Sequence, residues 1–277
     1  MKKKILIVSI FIFVIIPANA QNDSLVQKNK KKVYNYNTWV DLPITIGGAG
    51  LTLFNFSQIY NKKSSSEAGI MALDPKDVNR FDRGVAGNYD EESERMSDMI
   101  FYGSIPLPLI VFALDPDIRK DYLQVSALYV EAMSVTGVMY TTSQQLNNRR
   151  RPYTYNTDLD LSVRTQGSGK NSFMSGHAAL VGTATFLMAK VYDDYHPDSG
   201  FKWVLYAIAG ASTYATAHLR VNAGQHFPTD AIVGSIIGMG NGFLIPHLHK
   251  NKDNTEKKLS VLPVTGEYHG LRVSYTF

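Results

Sequence analysis

The sequence predicts an all-α body, a six-helix bundle followed by a short C-terminal β-hairpin, and three observations carry that expectation. Six apolar segments of helical length, roughly 39–60, 97–114, 122–142, 175–192, 202–219 and 228–247, are rich in Ala, Gly, Leu, Ile, Val and Met. In the last of them Gly234, Gly238 and Gly242 recur at every fourth position, leaving one small face for another helix. Near the end of the chain, Leu259 to Val264 and Leu271 to Phe277 alternate apolar and polar residues, with Gly266 and Gly270 flanking a turn.

Lys2, Lys3 and Lys4 precede an apolar run from Ile5 to Ile16, broken only by Ser9, and Ala18-Asn19-Ala20 supplies a small-x-small cleavage pattern. The run is short of the ~20 residues that span a bilayer. Residues 1–20 therefore read as a secretory signal peptide. Its three lysines account for most of the formal charge of +4, so the remainder carries about +1 and offers no basic surface for nucleic acid. The chain has no cysteine, which suits an exported protein and excludes thiolate chemistry and cysteine-ligated metals.

The remainder is long enough for one domain with a sizeable core. Residues 21–97 read as an N-terminal part with the first helix (one charge, Asp41, near its start) and a polar connection. That connection, 61–97, mixes both signs of charge and reads as a solvated surface loop or lid that carries a short helix. Residues 98–247 form the helical core, and 248–277 a hydrophilic linker and the hairpin.

Six segments of this length match membrane spans. Against that stand a mean hydropathy of −0.13, Glu131 inside the third segment, and a fifth segment, Trp203 to His218, that is small and mildly polar. The glycine series fits a helix contact in lipid or in water. A cleaved signal with six spanning helices would also put the loops after segments three and five on the cytoplasmic side. An exported site then requires a retained signal with one segment not spanning, or a bundle that does not span. The expected location is the bacterial cell envelope, membrane-associated or periplasmic. Glu131 either pairs with a buried arginine or, in lipid, marks a site; His196, His247, His249 and His269 are expected on the surface.

Three motifs carry chemistry. In Arg220-x5-His226-x3-Asp230, Pro228 suits the first position of a helix, which puts Asp230 near the third and His226 just before it. Asp230 could then accept from one imidazole nitrogen and leave the other as a nucleophilic lone pair; the plain alternative is a helix N-terminal aspartate beside a surface histidine. Ser175-Gly176-His177 opens the fourth segment: Ser175 is a good N-cap, Gly176 admits an anion close to the backbone, and His177 at the rim is a possible general acid. An ordinary cap would look the same. Arg149-Arg150-Arg151-Pro152 closes the third segment, with Gln144 and Asn148 on nearly the same helical face as Arg151. Arginines at a helix C-terminus also simply complement its dipole.

The order Arg-Pro, Ser-Gly-His, Arg-x5-His-x3-Asp resembles the three-part signature of the type 2 phosphatidic acid phosphatases, which share their site with class A acid phosphatases and vanadium haloperoxidases. The resemblance covers about Phe101 to His247. It implies a metal-independent phosphatase without a cofactor, with His226 the nucleophile, Asp230 orienting it and His177 the acid. Arg151, Arg220, Ser175 and the Gly176 amide would bind phosphate. A lipid phosphate (phosphatidate, undecaprenyl pyrophosphate or a lipid A phosphate) is the implied substrate if the helices meet a membrane, and a small phosphate ester if they do not. Three positions depart from the pattern. Met174 and Leu219 replace a proline and a serine, and Gln144 stands where the signature has a phosphate-binding lysine. Gln144 still donates a hydrogen bond, and Arg149 or Arg150 could supply the missing cation. A catalytically silent phosphate- or lipid-binding scaffold is the rival expectation.

Overall fold

Two helices with almost nothing between them sit at the centre of the molecule. A Cβ added to Gly234 would lie 2.4 Å from the carbonyl oxygen of Ser175, one on Gly238 2.1 Å from that of Ala179, and one on Gly242 2.7 Å from that of Thr183. The glycine face therefore receives the backbone of the helix that begins at Gly176. Gly182 returns the approach, since a Cβ there would stand 3.1 Å from the Met239 nitrogen.

The computed structural model describes residues 32–251, 259–264 and 270–275; the signal segment expected over 1–20 lies outside them. The described residues form one unit. In chain order its helices are α1 (Asp41–Tyr60), α2 (Glu67–Met71), α3 (Glu91–Ser104), α4 (Leu107–Leu114), α5 (Tyr122–Leu146), α6 (Leu161–Arg164), α7 (Gly176–Tyr195), α8 (Phe201–Asn222) and α9 (Pro228–His249). Strands β1 (Leu259–Val264) and β2 (Gly270–Tyr275) pair antiparallel, Leu259 opposite Tyr275 and Val264 opposite Gly270.

Each of the six apolar segments is helical, but the described residues hold nine α-helices rather than six. The second segment is broken into α3 and α4 at Pro106, which cannot donate to the helical ladder. The short helices α2 and α6 form inside polar stretches, capped by Ser66, which accepts from the Gly69 amide, and by Asp160, which accepts from the Ser162 amide.

Phe112, Val125, Leu128, Ala184, Leu187 and Ile245 fill the main core between α4, α5, α7 and α9. A second cluster of Ile59, Tyr140, Met174 and Ala179 lies beneath the start of α7. At the opposite end the buried Asp194 carboxylate holds Lys190 and Lys250, each at 2.6 Å, and the Tyr34 hydroxyl at 2.8 Å. Outward, α1, α4, α8 and α9 present large apolar side chains; Leu53 is 64% exposed, Leu114 72%, Trp203 69% and Leu248 74%. The spans Glu91–Leu114 and Pro228–His249 are long and apolar enough to cross a membrane.

Because Gly238 meets backbone rather than a movable side chain, Gly238→Val should lower stability by about 2–3 kcal/mol. Gly240, with open space around its missing Cβ, should accept alanine without loss. Thermal unfolding of the detergent-purified protein checks both.

Candidate functional site

The close contact of α7 and α9 sets their N-termini side by side, and the Ser175 amide donates to the Asp230 carbonyl at 3.1 Å. Ser175 is the N-cap of α7, its hydroxyl accepting from the Ala178 amide. Gly176 lies under the Tyr140 ring, which an added Cβ would meet at 2.6 Å. Pro228 opens α9, as its ring predicts, and Asp230 at the third position reaches back to the Phe227 amide at 2.9 Å.

His226 is buried in the loop between α8 and α9. Its Nδ1 lies 2.6 Å from the Ser172 carbonyl oxygen. A carbonyl only accepts, so Nδ1 carries the proton and Nε2 keeps its lone pair. Burial holds the imidazole well below its ordinary pKa, the Arg151 and Arg220 cations push the same way, and the Ser172 carbonyl opposes them. A neutral imidazole with a free Nε2 near two guanidinium groups and His177 is the electrostatic centre of the site.

Asp230 does not perform the task expected of it. Its carboxylate accepts from the Ser172 hydroxyl at 2.5 Å, from the Phe227 amide and from Arg149. It therefore acts on His226 at one remove, by fixing the residue whose carbonyl orients the ring. The reason is geometric: as the third residue of α9 it is drawn to the helix's free N–H groups and to Ser172.

Arg149 is equally committed. It bonds Asp230, the Thr229 hydroxyl at 2.8 Å and Asp82 at 2.6 Å, and its guanidinium lies 4.5 Å over the Phe227 ring. Arg150 bonds the Ser65 hydroxyl, and Lys62 caps the end of α5 through the carbonyls of Gln144 and Asn147, at 2.6 and 3.0 Å. Neither Arg149 nor Arg150 replaces the missing lysine. Gln144 is buried, its amide donating to the Met174 carbonyl at 3.1 Å, so it braces the chain entering α7.

Arg151 donates to the Asn171 carbonyl at 3.2 Å and to the Gln225 side chain. Arg220, buried in α8, bonds the Ser97 hydroxyl at 3.4 Å and Asp98 at 3.2 Å, with Glu94 at 3.9 Å, while its Nε is a buried donor without a partner. Asp98 also meets His177 Nε2 at 3.0 Å, and the Phe101 ring lies 4.5 Å from the imidazole. Tyr89, Glu94, Asp98, Met99 and Tyr102 line an open cleft of about 700 Å³ along α3.

Motif reading missed Ser172, Asp98 and Asp82. The backbone role of Ser172 leaves no trace in residue type. Asp82 sits in the connection expected to be a solvated loop or lid, yet it is fully buried. It accepts from the Thr229 amide at 3.0 Å, the Thr229 hydroxyl at 2.6 Å, Asn79 at 2.7 Å and Arg149, and so caps α9 from a distance. Burial pushes its carboxyl upward, but these donors outweigh burial and hold it below the ordinary range.

Residues 126–254, which contain all three motifs, match the family model of the PAP2 superfamily. No curated protein matches the chain. Among solved structures, the chain is similar to a transmembrane PAP2-type phosphatidylglycerolphosphate phosphatase from Bacillus subtilis, at 17% identity and a TM-score of 0.43, over 74% of this chain and 96% of that one.

A carboxylate held below its unfolded value stabilises the fold above that value, and the contribution is lost as pH falls through the folded one. Asp82→Asn should therefore cost about 2 kcal/mol at neutral pH. The gap to wild type should close below about pH 4, where the unfolded carboxyl also protonates. Thermal midpoints of both proteins across that range check this.

Proposed function

We propose that the chain is a PAP2-type enzyme, since residues 126–254 match the family model of the PAP2 superfamily, and that it is a metal-independent phosphatase acting on a lipid phosphate monoester or diphosphate. The observation that carries the reading is the state of His226: neutral, anchored through Nδ1, and keeping its Nε2 lone pair beside Arg151, Arg220 and His177.

In the proposed reaction Nε2 attacks phosphorus in line with the ester oxygen. The P–N bond forms, the P–O bond breaks, and His177 gives its proton to the departing oxygen. Water then attacks the phosphohistidine, His177 takes its proton, and inorganic phosphate leaves. Arg151 and Arg220 hold the equatorial oxygens with the Ser175 hydroxyl and the Gly176 amide at the start of α7. The unpaired Arg220 Nε–H is a donor available to such an oxygen. Asp230 and Asp98 are positioning residues, the first through Ser172 and the second on the His177 ring. The functional unit thus reaches back to Asp82, ahead of the 98–247 core expected from the motifs.

The many large apolar side chains exposed on α1, α4, α8 and α9 favour a lipid over a small soluble ester, because so much exposed apolar surface is uncommon on proteins bathed in water. Phosphatidate, undecaprenyl pyrophosphate and lipid A phosphates share the needed chemistry, a phosphate at the edge of an apolar body. A cell-envelope membrane is the matching location.

Phosphate release from these three lipids and from an aryl phosphate, in EDTA, tests the reading. Wild type should turn over a lipid substrate, and His226→Ala should fall at least a thousandfold. Asp98→Asn should lower kcat more than it changes KM. Gln144→Lys should accelerate wild-type turnover about tenfold by restoring one charged contact. No release by wild type or by Gln144→Lys would establish the silent scaffold instead.

A further inference from the structure

At the far end of α9 from His226 lies a second cluster of charged groups that the phosphatase reading does not use. Asp41 in the first turn of α1, Glu131 inside α5 and His249 at the end of α9 bring one ligand atom each to within 4.8 Å of one another. Both carboxylates are buried, Asp41 6% and Glu131 4% exposed. The expected arginine partner of Glu131 is not there: among the described residues, no lysine or arginine lies within ion-pair distance of either acid; Asp41 Oδ2 accepts from the Asn37 amide at 2.5 Å, and His249 is the charged group that faces both acids. Glu131 Oε2 is buried with no hydrogen-bond partner.

The histidine is presented as a ligand. Its Nδ1 donates to the Ile245 carbonyl at 2.8 Å, and the Tyr36 ring stacks on it at 6.4 Å, so Nε2 points at the two acids in a fixed orientation. Nε2 stands 3.4 Å from Asp41 Oδ2 and 3.8 Å from Glu131 Oε2. Both separations exceed the ~2.7–3.2 Å of an N–H···O bond. They approach the ~3.4 Å edge of a tetrahedron whose ligands lie ~2.1 Å from a central ion. The three atoms are spaced to surround something between them, and two buried carboxylates call for positive charge there.

We propose that Asp41, Glu131 and His249 bind one divalent transition-metal ion of the zinc class. The imidazole selects against magnesium and calcium, which take oxygen ligands almost exclusively. The role is structural. The same region already ties the chain ahead of α1 to the end of α9, through the Asn35 amide on the His249 carbonyl at 2.8 Å and the bridge between Tyr34 and Lys250. An ion would add α5 to that junction. It would stand roughly 30 Å from His226, the length of α9 at 1.5 Å per residue, and would take no part in phosphate chemistry.

The test uses the full chain in detergent, stripped with chelator, then incubated with zinc or magnesium chloride and gel-filtered. Wild type should retain one zinc per chain, gain several degrees in thermal midpoint with zinc, and gain nothing with magnesium. His249→Gln and Glu131→Gln should each lose the bound zinc and the shift, and His226→Ala should keep both. Less than a tenth of an equivalent on wild type would overturn the proposal, as would a full equivalent on both distal variants. Zinc-free wild type that is destabilised by His249→Gln would show an imidazolium ion pair instead. Should one variant fail to fold, wild-type stoichiometry and the other variant still decide. Wild type that binds zinc yet hydrolyses no lipid phosphate would leave this site standing and sink only the phosphatase reading.

Discussion

The site depends on backbone meeting backbone between α7 and α9. Three glycines on one face of α9 remove the side-chain layer that ordinarily separates two helices. The amide of Ser175 can therefore reach the carbonyl of Asp230. Two helix N-termini, each with a partial positive charge, then lie side by side, the first N–H groups of α9 being taken by Asp82 and Asp230. Four of the candidate site residues follow from that approach: Ser175, Gly176 and His177 arrive on one helix, His226 on the loop before the other. A side chain at Gly234 would strike the Ser175 carbonyl itself, so the glycine nearest the site has the least freedom to change.

Beneath that junction a buried charge network fixes the floor. Arg149 joins Asp82 and Asp230, and both carboxylates also hold N–H groups of the first turn of α9. Such a network is costly to break, because removing one member strands another without water. This explains why a polar connection rich in charges is not a free lid: Asp82 draws it into the interior. It also explains why three consecutive arginines do different work. Arg149 is structural, Arg150 turns to Ser65, and Arg151 remains beside His226.

Much of this was legible in the sequence, and the limits are instructive. Helical segments, the Ser175 cap, Pro228 at the start of α9 and the small face of α9 follow from residue types whose local physics is strong. The helix count failed at Pro106 and in the short capped turn of α6, where one proline or one side-chain cap redraws a boundary, while the short helix expected in the polar connection is α2. The arrangement around His226 was not legible, because its orienting group is the backbone of Ser172, and a carbonyl is present at every residue. Asp98, and the partner of Glu131, were out of reach for a different reason. Each acid is paired with a histidine distant in sequence, His177 and His249, and only the packing of separate helices makes the partner.

Orientation of His226 by a carbonyl rather than a carboxylate changes the electrostatics of the whole site. A carboxylate on Nδ1 would favour the imidazolium and place a negative charge beside an incoming phosphate. The Ser172 carbonyl fixes the same tautomer without that charge, while Arg149 neutralises Asp230 a step away. The imidazole stays neutral and nucleophilic under the field of Arg151 and Arg220. On the proposed reading, an anion entering the site would meet two guanidinium groups with no opposing charge on the histidine that attacks it.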